Sequence, residues 1–150
     1  LKSEYAILSS DKGLSFKVRS NKQIVHSDIT YLRRILQNLL SNAIKYTENG
    51  RVLIACRNRK HSLRIEVWDT GPGISDIEQA KIFNDFYRIE AGDNKGVGLG
   101  LGVVKRMADL LSLPIDVVSL PNKGSRFSIE VPYGDAQLVQ QKQSSQNILP

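Results

Sequence analysis

The chain has 150 residues, 41% of them hydrophobic and 24% charged, with a formal net charge of +6. That length suits one domain with a two-layer core. No run of about 18 apolar residues is present, so no segment reads as a membrane span. The opening LKSEYAILSSDKG lacks the basic-then-apolar order of a secretory leader and reads as cut from a longer protein. The basic residues are scattered, with short clusters only at Arg33-Arg34 and Arg57-Asn58-Arg59-Lys60. No basic stripe interleaved with aromatics is present, which argues against a nucleic-acid partner. The single cysteine, Cys56 in VLIACR, has no disulfide partner or metal-ligand spacing and reads as a small buried apolar residue in a reducing, cytoplasmic setting.

Residues 14–19 (LSFKVR) alternate apolar and polar, the pattern of a half-buried strand, and Ile24-Val25 predicts a short second one. Asp28 is placed to cap a helix that runs to about Lys45. Two consecutive strands follow, around 51–58 and 62–69, with a turn at Asn58–His61 and with Leu63, Ile65 and Val67 on one face. Ser75-Asp76-Ile77-Glu78 is a capping box, which predicts a helix from about Asp76. Residues 84–98 are polar and glycine-bearing without a period, and read as a long loop. A third helix from about Leu99 carries Val103, Val104, Met107, Leu110 and Leu111 at helical spacing and ends before Pro114. Two last strands, near 114–119 and 125–131, flank the turn Pro121-Asn122-Lys123-Gly124, with Phe127, Ile129 and Val131 facing inward. The domain then spans 14–133, with a linker over 1–13 and a glutamine-bearing tail over 134–150 that lacks apolar periodicity. The fold class expected is α/β: a two-layer sandwich of a mixed, mostly antiparallel sheet of about five strands packed on three helices.

Three blocks carry the chemistry. On a helical wheel Asn38, Asn42 and Lys45 fall within roughly 60° of one another, opposite the apolar side formed by Ile35, Leu36, Leu39, Leu40 and Ala43. Asparagine is a mediocre helix former, so two of them one turn apart call for a reason. They form either a solvated polar face or a set of amide oxygens for a hard cation, with the lysine on phosphate. DTGPGI (69–74) is either an Asp–Gly turn or a carboxylate at a cleft wall, able to accept from an exocyclic amine such as adenine's. GVGLGLG (96–102) leads into the third helix, where backbone N–H groups and the positive dipole end suit an anion. It fits neither G-x-G-x-x-G nor G-x-x-x-x-G-K-[ST], and H-R-D and D-F-G are missing, so Rossmann, P-loop and protein-kinase readings fail. In this order the blocks describe a pocket for a nucleotide triphosphate.

The succession NLLSNAIKYT, DTGPGI, IFNDFYRI and GVGLGLG resembles the N, G1, F and G2 boxes of sensor histidine kinases. KGSRFSIEVP resembles the segment that ends their catalytic ATP-binding domain, so the likeness runs from about Leu14 to Pro132. It implies the Bergerat α/β sandwich shared with gyrase, the Hsp90 chaperones and MutL-type proteins, and it implies ATP and Mg²⁺ as ligands. By that resemblance Asn42 coordinates Mg²⁺ across the phosphates, Asn38 supports it one turn earlier, Lys45 contacts phosphate and Tyr46 borders the nucleotide. Asp69 holds the adenine amino group in a pocket shaped by Gly71, Gly73 and Ile74, with Ser125 assisting through its hydroxyl. Gly96, Gly98, Leu99, Gly100 and Leu101 close over the triphosphate, and Lys95 reaches the γ-phosphate. Phe83, Phe86, Tyr87 and Arg88 form the F box, which packs the lid and contacts a helical domain; Arg88 also counts among the nucleotide-binding residues.

Hydrolysing members of this superfamily carry a glutamate where Asn38 stands, and an amide cannot act as a general base. The resemblance therefore implies transfer to an imidazole rather than hydrolysis. Neither His26 nor His61 has an acidic neighbour in sequence, so the phosphoacceptor histidine is expected on a separate dimerisation domain upstream. A response-regulator receiver domain is the implied onward partner. The parent is expected to be a homodimer, anchored in a membrane or not, and the isolated domain a cytoplasmic monomer. The alternative reading is a degenerate nucleotide-binding or scaffolding module without kinase activity.

Overall fold

The computed structural model describes residues 1–85, 87 and 100–134. In chain order its elements are α1 (Lys2–Asp11), β1 (Ser15–Arg19), α2 (Ile29–Tyr46), β2 (Arg51–Asn58), β3 (Ser62–Asp69), α3 (Asp76–Gln79), α4 (Gly100–Leu110), β4 (Ile115–Leu120) and β5 (Gly124–Pro132). The five strands form one sheet in the order β1-β2-β3-β5-β4. β1 and β2 pair parallel, and every other pairing is antiparallel. The parallel pair follows from the connection: the chain leaves β1, runs through α2 and returns alongside, the crossover that parallel strands require.

Side-chain alternation divides the sheet into two faces. Leu63, Ile65 and Val67 of β3 stand opposite Val131, Ile129 and Phe127 of β5, and all six are buried beneath the helices. On the outer face Glu66 is only 1% exposed, yet its carboxylate takes two donors, Arg57 Nε at 2.8 Å and Trp68 Nε1 at 2.9 Å. A buried charge left without such partners would cost several kcal/mol, on the order of what any ion loses on leaving water.

The helices follow from their caps and stripes. The Asp28 carboxylate accepts from the N–H groups of Thr30 and Tyr31 at 2.9 and 3.0 Å, which starts α2 where the sequence placed its cap. Ile35, Leu39, Leu40, Ala43 and Ile44 then form its buried stripe, and Val104, Met107 and Ala108 supply that of α4. Both halves of the capping box at Ser75 and Glu78 are present, but α3 is a single turn of four residues.

The sandwich and its mixed, mostly antiparallel sheet of five strands are as expected. The helical layer differs. The segment 1–13, expected as a linker, contains helix α1, which buries Tyr5 and Ser9. The residues between them, Ala6, Ile7 and Leu8, are apolar yet exposed, so the apolar pattern does not mark the buried side of the helix. Ile24-Val25 is reduced to one bridge, Val25 to Tyr133. The expected tail from Asp135 and most of the 84–98 loop lie outside the described residues.

Candidate functional site

The apolar rows of the inner face end in a polar row. Beyond Val67 and Phe127, the next inward pair is Asp69 opposite Ser125, and Ser119 of β4 stands opposite Ser125 in turn. Helix α2 joins two groups of candidate residues: its last turn lies against Gly71 at this strand end, and its Asn38 and Asn42 face the first turn of α4.

At the strand end, Gly71 N–H donates to Asp69 Oδ1 at 2.9 Å. Burial pushes the Asp69 carboxyl above its ordinary value, while the N–H groups of Gly71 and Ser125 oppose that rise. A Cβ on Gly71 would lie 2.9 Å from Asp69 Oδ1 and 3.2 Å from the Tyr46 carbonyl, so only glycine keeps this wall open. Gly73 has φ +71° and its Cβ would fall 2.0 Å from the Leu120 carbonyl oxygen. Gly124, at φ +126°, would drive a Cβ to 2.0 Å from the Asp69 carbonyl. The G1 loop and the β4–β5 turn are therefore fitted backbone to backbone.

Ser119 secures that fit, and the sequence analysis did not single it out. Its hydroxyl donates to Gly124 O at 2.9 Å and accepts from Ile74 N at 2.8 Å. The Ser125 hydroxyl lies 2.8 Å away. Since the Ser119 proton goes to Gly124, Ser125 donates in that pair and its own lone pairs remain for a ligand. The signal was faint: Ser119 is a polar break in the inward row Ile115, Val117, Ser119, but its meaning depends on pairing with β5. Thr47 was missed as well. It is fully buried, and its hydroxyl donates to Ala43 O at 2.7 Å to finish α2.

At the helix end, Asn38 and Asn42 face the start of α4. A Cβ on Gly100 would lie 3.6 Å from Asn38 Oδ1 and between 3.6 and 3.7 Å from the two amide heteroatoms of Asn42. Asn38 Nδ2 donates back to Arg34 O at 2.9 Å, which leaves its oxygen turned toward α4. Among the described residues no three His, Cys, Asp or Glu side chains gather, so the hard oxygen donors at this end are asparagine amides. Lys45 Nζ lies 5.2 Å from the ring centre of Tyr46, which is half-exposed. Leu101 is partly buried against the core. Gly102 carries no side chain where Asp85 lies against the helix, and Arg106 pairs with Asp85 at 2.8 Å. Phe83 meets Phe127 edge-on at 6.2 Å, so the first part of the F box is anchored in the core.

The structure thus places Asn38 and Asn42 against Gly100, which Leu101 follows in α4, and groups Asp69, Gly71, Gly73, Ile74 and Ser125 at the strand end, with Lys45 and Tyr46 on the last turn of α2, which lies against Gly71. Arg88, Lys95, Gly96, Gly98 and Leu99 lie outside the described residues, as does Phe86. A cavity of about 370 Å³ opens at the same strand end, lined by Leu53, Trp68, Val118 and Arg126 of the outer face and also by Asp69, Ser119 and Ser125.

Residues 27–135 match the family described as histidine kinase-, DNA gyrase B-, and HSP90-like ATPase. The chain belongs to this family. Among curated relatives it is 35% identical over 121 residues to the sensor histidine kinase RcsC of Escherichia coli (strain K12), covering 79% of this chain and 13% of that protein. It is 36% identical over 134 residues to the aerobic respiration control sensor protein ArcB of the same organism, covering 84% and 17%. The chain therefore spans less than a fifth of these relatives. Among solved structures, full-length ShkA in complex with AMPPNP superposes with TM-score 0.80 and 30% identity, covering 89% of this chain and 28% of that one. The catalytic domain of histidine kinase ThkA superposes with TM-score 0.71 and 30% identity over 87% and 90%. The fold is thus that of histidine kinase catalytic domains.

Proposed function

We propose that this domain binds Mg·ATP across the two groups of residues that α2 joins and presents the γ-phosphate to a histidine on a separate helical dimerisation domain, for relay to a receiver domain. In this reading residues 14–133 are the nucleotide domain, and 1–13 and 134–150 lead to and from it. Asp69 accepts the adenine amine, Gly71, Gly73 and Ile74 shape the pocket around it, and the Ser125 hydroxyl offers an acceptor alongside. Asn42, supported by Asn38, holds Mg²⁺ through an amide oxygen; Lys45 meets phosphate, and Tyr46 borders the nucleotide. Mg²⁺ neutralises phosphate charge when bound, the main demand of phosphoryl transfer. The first residues of α4, Gly100 and Leu101, bring a helix N-terminus to the same oxygens. Arg88, Lys95, Gly96, Gly98 and Leu99 complete the triphosphate end.

The observation that carries this reading is the approach of Gly100 to Asn38 and Asn42 on the same helix whose last turn lies against Gly71, beside Asp69. Blocks separated by tens of residues meet where a nucleotide needs a phosphate site and a base site. Asn38, turned by its bond to Arg34, offers no carboxylate to activate water, which favours transfer over hydrolysis. The test is calorimetry with a non-hydrolysable ATP analogue, with and without Mg²⁺, and with a GTP analogue as control. Mg²⁺-dependent binding of the ATP analogue alone is expected. Mixing the domain with the parent's helical domain and γ-labelled ATP should then label a histidine there; binding without labelling would leave a scaffolding module.

A further inference from the structure

The last turn of α2 carries Lys45 and Tyr46, and its end carbonyls have no partner within the helix. Two of them are held from outside. Lys12 Nζ donates to Ile44 O at 2.7 Å and to Lys45 O at 2.8 Å. Lys12 directly follows α1, whose Tyr5 is 3% exposed and anchored on the same helix. The Tyr5 hydroxyl donates to Gln37 O at 3.2 Å and lies 3.1 Å from Ser41 Oγ. Gln37 and Ser41 are the immediate neighbours of Asn38 and Asn42. Two contacts from one short helix therefore grip α2 behind its two asparagines and at its C-terminus.

We propose that Lys12 is a positioning residue for the phosphate end of the nucleotide site, acting through the last turn of α2 and the aim of Lys45, with Tyr5 fixing the helix behind Asn38 and Asn42. The inference rests on the nucleotide reading above. An ammonium at a helix C-terminus both satisfies orphan carbonyls and complements the negative end of the dipole. Here that cap lies at the residue whose own side chain is assigned to phosphate. On its other side the same turn lies against the G1 loop, where a Cβ added at Gly71 would come 3.2 Å from the Tyr46 carbonyl. Removing the Lys12 ammonium frees one side of the turn only, so the phosphate end loosens while the Asp69 end stays as it is.

The test measures binding of a non-hydrolysable ATP analogue and of adenosine to the full chain, unaltered and as Lys12→Met, Lys12→Arg and Lys45→Ala. Lys12→Met keeps the aliphatic stem and removes the donors. It should weaken the ATP analogue by about fivefold, the scale of a well-placed charge at a helix end, and leave adenosine unchanged. Lys12→Arg should restore the ATP analogue. In a Lys45→Ala background Lys12→Met should add nothing, since its effect passes through Lys45. Equal loss for both ligands would mean a general structural role and overturn the proposal, as would unaltered ATP affinity or full additivity with Lys45→Ala. Failure of the unaltered chain to bind the ATP analogue at all is a separate result, which overturns the nucleotide reading and this one with it.

Discussion

The two ends of the proposed site are built by different means. At the Asp69 end the parts are backbone and buried hydroxyls: two glycines at positive φ packed against carbonyls, and Ser119 bonded to Ile74, Gly124 and Ser125. No side chain there needs to move for the site to exist. At the Asn42 end the parts are polar side chains of α2, and the absence of a side chain at Gly100 lets the start of α4 come close to them. The difference matches the proposed ligand. A purine is rigid and rewards a fixed socket, whereas a triphosphate with its cation is flexible and charged, and is better met by amides and an ammonium that adjust.

Damage to the fixed end should therefore be the most severe. Gly73→Ala places a methyl group 2.0 Å from the Leu120 carbonyl and strains a left-handed backbone. It is expected to cost at least about 2 kcal/mol of folding stability. Adenosine and ATP binding should fall together, and denaturant titration with calorimetry on both ligands checks this. Asp69→Asn keeps the shape and replaces the acceptor by an amide. Loss of a charge-assisted hydrogen bond in a buried site predicts roughly 100-fold weaker binding of both ligands. Because burial disfavours the ionised carboxylate, the unliganded variant should melt no lower than the parent. A marked drop in its melting temperature would show that Asp69 is structural. At the adjustable end Asn42→Ala should remove the Mg²⁺ dependence of ATP-analogue binding, a change of about tenfold, and leave adenosine alone. If adenosine also weakened, the two ends would not be separable.

Legibility in the sequence divided along a related line. The strands were readable because alternation in Leu63, Ile65, Val67 and in Phe127, Ile129, Val131 is local, and α2 because Asp28 and its apolar stripe are local. The asparagines and Asp69 stood out once three blocks were taken in order. What stayed hidden depends on pairing between distant segments. Ser119 is an ordinary serine until β4 is set against β5, where it lies across from Ser125. Helix α1 buries Tyr5 and Ser9, and the partners of the Tyr5 hydroxyl, Gln37 and Ser41, are more than thirty positions away. Neither relation leaves a periodic trace. The parallel pairing of β1 with β2 could be inferred only from the crossover through α2.

The smallest expected effect, and the one that tests the fixed end without altering it, is the pH dependence of adenosine binding. Adenosine lacks phosphates, so their titration does not intrude. The Asp69 carboxyl titrates above its ordinary 3.8 because burial penalises the charge more than the Gly71 and Ser125 N–H groups favour it. For an acid with a raised value the protonated form is the one the fold prefers. Asp69 therefore adds to stability at low pH, and that contribution is lost as the pH rises through its folded value. Ligand binding runs the other way, since the carboxylate accepts through either oxygen whereas the acid carries a proton on one of them. Adenosine affinity should accordingly fall as the pH is lowered toward the raised value, at a pH where an ordinary aspartate is still ionised. The loss should set in above the ordinary carboxylate range and be absent in Asp69→Asn. A profile that is flat in the parent down to the ordinary carboxylate range would mean that Asp69 accepts nothing from the base. A profile unchanged in Asp69→Asn would assign the titration to another group.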